Sequence, residues 1–310
     1  MAGRIHAGPD RTALGISLIL GSVMIMAFAD AMVKLVSADL TLWQVIAARS
    51  IAAAPFLVAL SIATETSLAP KASVWALVRS ALLVLTWLSL YASLPVLSLS
   101  VAAVAIYTNP IITALLSAAL IGERVRPRQW AGVLTGFLGV VATLRPGTDA
   151  FSWFTTLPLL GAVFYSSAMV LTRSKCRDEA PLALAFTLHA SFVVTGLAAT
   201  VLLAVLDPVA ETRAAFPFLL GEWVSMGRNE WGLMVLLAAL SVAYFIGVAR
   251  AYQVAAPPVI ATFDYAYLVS AALWGFVFFS EKPGLLTIAG MVLITVAGML
   301  VASGSAAAEP

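Results

Sequence analysis

Charged residues are scarce in this sequence. Asp, Glu, Lys and Arg make up 10% of its 310 residues, whereas soluble domains contain about 25%. Hydrophobic residues make up 62% and the mean hydropathy is +1.02, so a water-soluble fold is excluded. The net charge of +2 is too small and too dispersed to form the basic stripe that nucleic acid requires. We therefore expect an integral membrane protein that lies in a lipid bilayer and does not bind nucleic acid.

Several site-forming patterns are also missing. The single cysteine, Cys176, excludes an intramolecular disulfide and a cysteine-rich metal site. There is no GxxxxGK[ST] phosphate-binding loop and no HExxH zinc motif. These absences argue against an ATP-driven pump and exclude a metalloprotease, and we predict no catalytic residues, no metal and no cofactor. Any transport would then draw its energy from a gradient or from exchange.

Ten apolar runs have about the length of a membrane-spanning helix. They are continuously apolar, which favours helices, because barrel strands alternate apolar and polar residues. The fifth run is short. We predict an all-α integral membrane protein with ten transmembrane helices, at residues 13–36, 42–62, 74–93, 99–121, 130–144, 154–171, 182–205, 231–249, 258–279 and 285–302.

The distribution of lysine and arginine sets the orientation. With the N-terminus inside, eleven of these residues, Arg79 among them, fall on the inner side and four on the outer side, and two fall within spans. The positive-inside rule then makes both termini cytoplasmic, with residues 1–12 as the N-terminus and 305–310 as the tail. The external segment 206–230 carries aromatic and apolar residues and is expected on the membrane surface.

An internal repeat appears when the fourth and fifth spans are laid over the ninth and tenth. Five spans in each half is an odd number, so the two copies must have opposite orientations, as in many secondary transporters. We predict two inverted five-helix repeats, residues 13–147 and 148–304, around a central cavity. At an offset of 158 residues the matched pairs are Tyr107 and Tyr265, Glu123 and Glu281, and Gly132 and Gly290.

Residues 107–147, YTNPIITALLSAALIGERVRPRQWAGVLTGFLGVVATLRPG, and 262–304, TFDYAYLVSAALWGFVFFSEKPGLLTIAGMVLITVAGMLVASG, carry a family resemblance. The chain resembles an EamA-type transporter of the drug/metabolite transporter superfamily. This resemblance implies ten helices around a central cavity and transport of amino acids, vitamins, nucleotide-like compounds or other metabolites. The segment FDYAYLVSAALWGFVFFSEKP is similar to a subgroup that includes riboflavin and S-adenosylmethionine carriers. For the substrate itself this is analogy only.

Three charged residues, Asp30, Lys34 and Arg49, fall inside the first two predicted spans. A charge at the bilayer centre costs about 2.5–3.5 kcal/mol on insertion scales, so each needs a partner or a function. Asp30 and Arg49 are expected at similar depth and can pair across the two helices. Lys34 can pair with Asp30 one turn away or extend outward. A structural salt bridge and contact with a charged substrate group both remain open, and we name Asp30 and Arg49 as candidates for the substrate path.

Asp264 lies in the ninth predicted span between Phe263 and Tyr265. A buried carboxylate beside aromatic rings can bind a proton or a cationic substrate group, although a residue near a helix end can also reach the headgroups. His189 is expected at comparable depth in the seventh span and is a candidate partner of Asp264 in a proton relay. A lone histidine is more often structural.

The dipeptide Asn109–Pro110 is predicted to interrupt the fourth span near its middle, because proline removes a hydrogen-bond donor from the helix. Interrupted helices near the midplane are common binding points, although a simple kink is equally compatible. Aromatic side chains at mid-span either pack between helices or stack on a flat or cationic substrate. We name Asn109, Tyr107, Tyr265 and Trp274 as path residues, within a wider aromatic set that includes Trp87, Tyr91, Tyr165 and Tyr244.

Two further features have structural interpretations. Glu123 and Glu281 are expected to cap their spans or to pair with the neighbouring Arg124 and Lys282. The GxxxG motif at positions 132–136 permits close helix contact. Because such motifs are frequent in apolar spans, the sequence leaves both a monomer and a homodimer open.

The sequence favours a secondary transporter that moves a small polar or amphipathic metabolite by alternating access, in the cytoplasmic (inner) membrane of a bacterium. The substrate classes in view are amino-acid-like compounds, vitamins and nucleoside-like compounds. One alternative is a passive channel or pore, which would show ohmic current instead of saturable exchange. A second is an intramembrane enzyme, for which Asp264 and His189 are the only plausible pair.

Overall fold

The computed structural model describes residues 11–122, 127–144 and 152–306, and every regular element in these ranges is a helix. Besides a short 3-10 turn at Trp153–Thr155, there are fourteen α-helices in the described ranges. Their bounds are α1 Thr12–Val36, α2 Leu42–Thr64, α3 Ser73–Ser93, α4 Leu99–Ile106, α5 Asn109–Ile121, α6 Pro127–Leu144, α7 Thr156–Ser174, α8 Pro181–Leu206, α9 Ala210–Ala215, α10 Pro217–Leu220, α11 Arg228–Val254, α12 Pro257–Phe263, α13 Ala266–Phe279 and α14 Leu285–Ala306.

Eight helical segments among the described residues are long and apolar enough to cross a membrane. Two of these segments, Leu99–Ile121 and Pro257–Phe279, each combine two consecutive helices. Two shorter apolar stretches, Trp130–Ala142 and Leu285–Ala297, lie within α6 and α14. The chain is therefore an all-helical, multi-pass membrane protein whose helices coincide with the ten predicted apolar runs. The predicted terminal segments 1–12 and 305–310 lie largely outside the described residues.

The fourth span is interrupted slightly earlier than the sequence predicts. Helix α4 ends at Ile106 and α5 begins at Asn109, so Pro110 occupies the first turn of α5. Proline is tolerated there because the N–H groups of a first turn have no partner within the helix. The Asn109 carbonyl accepts a hydrogen bond of 2.9 Å from the Ser166 hydroxyl of α7, which ties the start of α5 to a neighbouring helix.

A second interruption, which the sequence interpretation missed, divides the ninth span between α12 and α13 at Asp264 and Tyr265. At an offset of 158 residues, the break after α4, at positions 107 and 108, overlaps this one at Tyr265. The starts of α4 and α6 fall on those of α12 and α14 at the same offset. Gly122 and Ser280, also 158 apart, both end their helices with positive φ, 69° and 53°. The predicted counterpart of Glu281, Glu123, lies outside the described residues.

Contacts between helices cross from the first five spans to the last five in matched pairs. Helix α1 packs on α11 and on α13. Its counterpart in the other half, α7, makes the corresponding contacts with α3 and with α5. Helices α2 and α8 pack on each other, as do α6 and α14. A Cβ at Gly139 would lie 2.6 Å from the Gly290 carbonyl oxygen, and one at Gly136 would lie 2.8 Å from the Tyr265 hydroxyl. Gly136 of the GxxxG motif therefore permits contacts within this chain.

The segment between α8 and α11, which the sequence predicts to be external, folds against the end of the bundle. Phe218 is buried, and the Trp43 indole N–H donates to the Leu219 carbonyl at 2.8 Å. The Gln44 side chain exchanges hydrogen bonds with the Val224 backbone, at 2.6 and 3.1 Å. The segment thus contacts the start of α2, because these side chains satisfy its backbone groups. Its position on the membrane surface stays a prediction.

Candidate functional site

A closed central cavity lies between α1, α3, α4, α5, α7 and α13. Its free volume is about 20 Å³, which is enough for about one water molecule, whereas sites for organic ligands measure about 300–1,000 Å³. The structure is therefore a closed state, and a metabolite can enter only if helices move apart. The lining residues are Met26, Asp30, Thr86, Trp87, Leu90, Ile106, Tyr107, Asn109, Tyr165 and Tyr267.

Asp30 is fully buried in α1 and lines this cavity. Its Oδ1 accepts a hydrogen bond of 3.0 Å from the Tyr91 hydroxyl of α3, and its Oδ2 accepts one of 2.7 Å from the Tyr267 hydroxyl of α13. A carboxylate offers about four lone-pair sites, so two hydrogen bonds leave acceptor capacity on both oxygens. Asp30 is thus held in place by two helices and can still bind a donor from the cavity.

Arg49 lies next to Asp30 but does not pair with it directly. The guanidinium is fully buried in α2, its Nη1 donates to the Tyr91 hydroxyl at 3.0 Å, and it lies 5.7 Å from the Tyr91 ring and 5.3 Å from the Phe192 ring. No Asp30–Arg49 ion pair is found in the described part of the chain, nor do Nε and Nη2 have hydrogen-bond partners there. The expected pair is replaced by a bridge, because the Tyr91 hydroxyl stands between the two charges.

Two polar side-chain atoms of the cavity wall have no hydrogen-bond partner among the described residues. They are the indole nitrogen of Trp87 and the amide oxygen of Asn109. Both residues are buried. The Tyr165 hydroxyl, by contrast, interacts with Asp264 and Tyr252. A buried polar group without a partner costs about 1–3 kcal/mol, so this wall can be satisfied by water or by the polar groups of a ligand.

Aromatic rings form much of the remaining wall. Tyr107, at the break of the fourth span, stacks on Tyr267 with ring centroids 4.8 Å apart, and both line the cavity with Trp87 and Tyr165. Three of the aromatic residues named from the sequence, Trp87, Tyr107 and Tyr165, thus surround the site, and Tyr267, which was not named, joins them. Sequence spacing could not predict that these four rings meet, because they come from α3, α7, α13 and the end of α4.

The other predicted path residues lie outside this wall. Trp274 is partly exposed and packs on Phe28 and Phe278, with ring centroids 4.9 and 5.5 Å apart. Tyr265 is buried against α6 near Gly136. Tyr244 packs on Trp87 behind the cavity wall, 6.1 Å between centroids.

Asp264, at the break between α12 and α13, is fully buried. Its Oδ2 accepts a hydrogen bond of 2.7 Å from the Tyr252 hydroxyl of α11. The Tyr165 hydroxyl of α7 also interacts with the Asp264 carboxylate. Tyr252 was not identified from the sequence, although its position near the end of α11 matches that of Tyr91 near the end of α3.

The predicted relay between Asp264 and His189 does not form in this structure. His189 Nδ1 lies 3.2 Å from the Ser50 hydroxyl oxygen, and Nε2 lies 3.5 Å from the Ser241 hydroxyl oxygen. The hydrogen-bond partner of Asp264 is Tyr252. Similar depth in two helices did not bring these side chains together, because α8 packs on α2, α3 and α11, whereas α12 packs mainly on α5 and α14.

Lys34 pairs with a residue from the far half of the chain. Its Nζ lies 2.7 Å from Glu281 Oε1 and donates to the Leu97 carbonyl at 2.9 Å. Glu281 also accepts from the Leu99 backbone N–H, 3.0 Å to Oε2, and so caps the start of α4. The capping expected of Glu281 is therefore present on another helix, while its ion-pair partner is Lys34 and not Lys282. Among the described residues, Lys34 therefore pairs with Glu281 and not with Asp30, its neighbour one helical turn away.

The inner end of the bundle, in the predicted orientation, is also tied together. Arg173 donates to the Gln253 carbonyl at 2.9 Å, and the Gln253 amide donates to the Cys176 and Glu179 carbonyls, both at 2.8 Å. Arg79, which the sequence analysis counted with the inner loops, is buried in α3 and donates to the Thr172 hydroxyl at 2.7 Å. These hydrogen bonds join α7 to α3 and to α11 at this end of the bundle.

Comparison with known proteins gives a consistent picture. Residues 13–145 match the model of the EamA-like transporter family. A solved structure, titled as the crystal structure of a protein, matches with a TM-score of 0.68 and 19% sequence identity, and the match covers 94% of this chain and 96% of the other. At this identity the likeness shows the fold alone.

Three relatives are transporters of different small molecules. The pseudopaline exporter CntI of Pseudomonas aeruginosa is 26% identical over 285 residues, which are 91% of this chain and 94% of the exporter. The riboflavin transporter of Rhizobium johnstonii is 31% identical over 127 residues, 41% of each chain. The S-adenosylmethionine uptake transporter of Rickettsia prowazekii is 22% identical over 208 residues, 67% of this chain and 64% of the relative.

Proposed function

We propose that this chain, which belongs to the EamA-like transporter family of the drug/metabolite transporter superfamily, is a secondary transporter that moves a small polar or amphipathic metabolite by alternating access. The family is one of transporters and not of enzymes. The substrate classes we propose are amino-acid-like compounds, vitamins and nucleoside-like compounds. They are supported by the small metabolites that the relatives carry.

The architecture we propose is a pair of inverted five-helix repeats, residues 13–147 and 148–304. It is supported by the shared offset of 158 residues between helix starts and breaks and by the matched helix contacts between halves. Both termini are then cytoplasmic, and we place the protein in the bacterial inner membrane. An odd number of spans per half gives opposite orientations, and in such transporters one half rocks against the other.

The observation that carries the proposal is the closed cavity with polar groups in its wall. Asp30, Tyr107 and Asn109 are proposed to contact substrate there, with Arg49 acting through Tyr91. Asp264 and Tyr265, at the break of the ninth span, are proposed to contribute when the helices move. Separating the contacts at one end of the bundle while the other end stays tied would open the cavity to one side at a time.

The test is counterflow in proteoliposomes with labelled amino acids, riboflavin and nucleosides. Saturable exchange of a metabolite is expected, and it should be lost in Thr86→Phe, which places a ring in the cavity wall. The matched control is Leu85→Phe, at the preceding position, whose side chain is exposed on the outside of the bundle and should exchange as wild type does. Thermal unfolding in detergent verifies that both variants are folded.

A different result separates the alternatives. Ohmic current without saturation or counterflow would overturn the transporter proposal in favour of a pore. Saturable exchange that Thr86→Phe and Leu85→Phe reduce equally would keep the transporter and remove the cavity as its substrate site.

A further inference from the structure

We infer that the transported metabolite carries a cationic group, such as a protonated amine or a sulfonium, which binds Asp30, together with an oxygen acceptor beside it. This inference rests on the proposed transport function and specifies its substrate class. It follows from the charge, the rings and the unsatisfied polar atoms of one cavity.

The charge of the wall has a single sign. Asp30 is the only charged side chain among the ten lining residues that the structure describes. The nearby cation, Arg49, is not part of the lining and reaches Asp30 only through the Tyr91 hydroxyl. Arg49 thus stabilises the carboxylate without occupying the cavity side of it, where acceptor capacity remains for a ligand.

The rings around Asp30 suit the same kind of ligand. Trp87, Tyr107, Tyr165 and Tyr267 all line the cavity, and tryptophan and tyrosine faces attract cations through their quadrupoles. The Tyr267 hydroxyl also bonds Asp30 at 2.7 Å, so the ring and the carboxylate approach the cavity together. An anionic ligand would be repelled here by Asp30 and would meet no lining cation in the described part of the wall.

The unsatisfied atoms indicate a second, polar part of the ligand. The Trp87 indole nitrogen is a donor only, and it has no partner among the described residues. It can donate to a carboxylate or carbonyl oxygen of the ligand. The Asn109 amide oxygen, which also has no partner in the described part of the chain, can accept from the N–H groups of the ligand. An amino-acid-like compound has this combination of groups.

The test compares compounds with and without a cationic group in counterflow by the wild-type protein. Phenylalanine, arginine and S-adenosylmethionine carry one, whereas N-acetylphenylalanine, riboflavin and methylthioadenosine carry none. Saturable exchange is expected in the first group and at least about tenfold weaker exchange in the second, since a buried charge left unpaired is costly. Preferred exchange of the second group, whose members lack a cation, would overturn the inference and leave the transporter standing. Absence of saturable exchange in every case would overturn both.

Variants of Asp30 test whether this residue binds the cationic group. Asp30→Asn should raise the half-saturation concentration for cationic compounds by about tenfold or more, and Asp30→Glu should restore part of it. Asp207→Asn is the matched control, because Asp207 lies in the exposed external segment. Should Asp30→Asn fail to fold, Tyr267→Phe, which removes one hydrogen bond to Asp30, serves in its place. Unchanged half-saturation in the folded variants would exclude Asp30 as the cation site.

Discussion

The two aspartates buried within the bundle have different surroundings. Asp30 lines the central cavity, and both of its carboxylate oxygens accept hydrogen bonds. Arg49 is connected to it through the Tyr91 hydroxyl. Asp264 accepts a hydrogen bond from Tyr252 and interacts with Tyr165, has no arginine behind its tyrosine partner Tyr252 in the described part of the chain, and is not among the residues that line the cavity. Both are fully buried, so burial alone does not distinguish them.

The difference shows what a protein must supply to keep a carboxylate in a binding site. Asp30 is oriented by hydrogen bonds from two tyrosines on different helices. The Arg49 cation reaches it only through the Tyr91 hydroxyl, which leaves the cavity side of Asp30 available to a ligand. Asp264 stands at a helix break, where Tyr252 donates a hydrogen bond to it. We propose that Asp30 recognises substrate and that Asp264 takes part in the conformational change or in proton transfer.

The strongest way to break this comparison is to remove the cation behind Asp30. Arg49→Gln is expected to lower the free energy of unfolding by about 3–5 kcal/mol, because it leaves Asp30 buried without a compensating charge, and to lower exchange about tenfold or more. Thermal unfolding in detergent and counterflow measure the two effects. Arg213→Gln, in the exposed external segment, should cost at most about 1 kcal/mol. Equal stability of the two variants would show that Asp30 does not depend on Arg49.

The two tyrosine hydroxyls offer a matched test of the two sites. Tyr91→Phe removes a bond to Asp30 and a bond from Arg49, whereas Tyr252→Phe removes a single bond to Asp264. Since a hydrogen bond to a charged group contributes about 1.5–3 kcal/mol, Tyr91→Phe should destabilise the protein about twice as much as Tyr252→Phe in thermal unfolding. A larger loss in Tyr252→Phe would reverse the assignment of the better-held carboxylate.

Asp264→Asn sharpens the division of roles. Because Asp264 lies outside the cavity wall, this variant should lower the maximal exchange rate by roughly threefold to tenfold and leave the half-saturation concentration nearly unchanged. Asp30→Asn should act mainly on half-saturation. Counterflow over a range of substrate concentrations separates the two parameters, and a raised half-saturation in Asp264→Asn would place Asp264 in the substrate site instead.

The smallest effect is expected at the Lys34–Glu281 pair, which joins α1 to the segment between α13 and α14 and, through Leu99, to α4. Lys34→Met should cost about 1 kcal/mol and should speed labelling, from the outside, of a cysteine placed at Thr86 in a Cys176→Ala background. The adjacent Lys282→Met is the control. Labelling of Lys34→Met as slow as that of Lys282→Met would mean that the pair does not close this end.

The sequence was sufficient for the positions of the apolar helical segments. Ten apolar runs predicted them, because a helix that faces lipid must be largely apolar. Among the described residues, eight of these segments are long enough to cross a membrane and two are shorter. The offset of 158 residues was also visible in the sequence, and the helix starts follow it at positions 99 and 257 and at 127 and 285. Asp30, Tyr107 and Asn109 were selected because polar and aromatic residues inside spans are rare enough to stand out.

Only the tertiary structure decided which of these residues meet. Lys34 pairs with Glu281, 247 positions away, and not with its helical neighbour Asp30. Tyr91 stands between Asp30 and Arg49, and His189 lies beside serines and not beside Asp264. Depth along a helix follows from sequence position, but the direction of a side chain around the helix and its neighbour depend on how the halves pack. For this reason the sequence determined the spans and their buried polar residues, while packing between the halves determined the cavity.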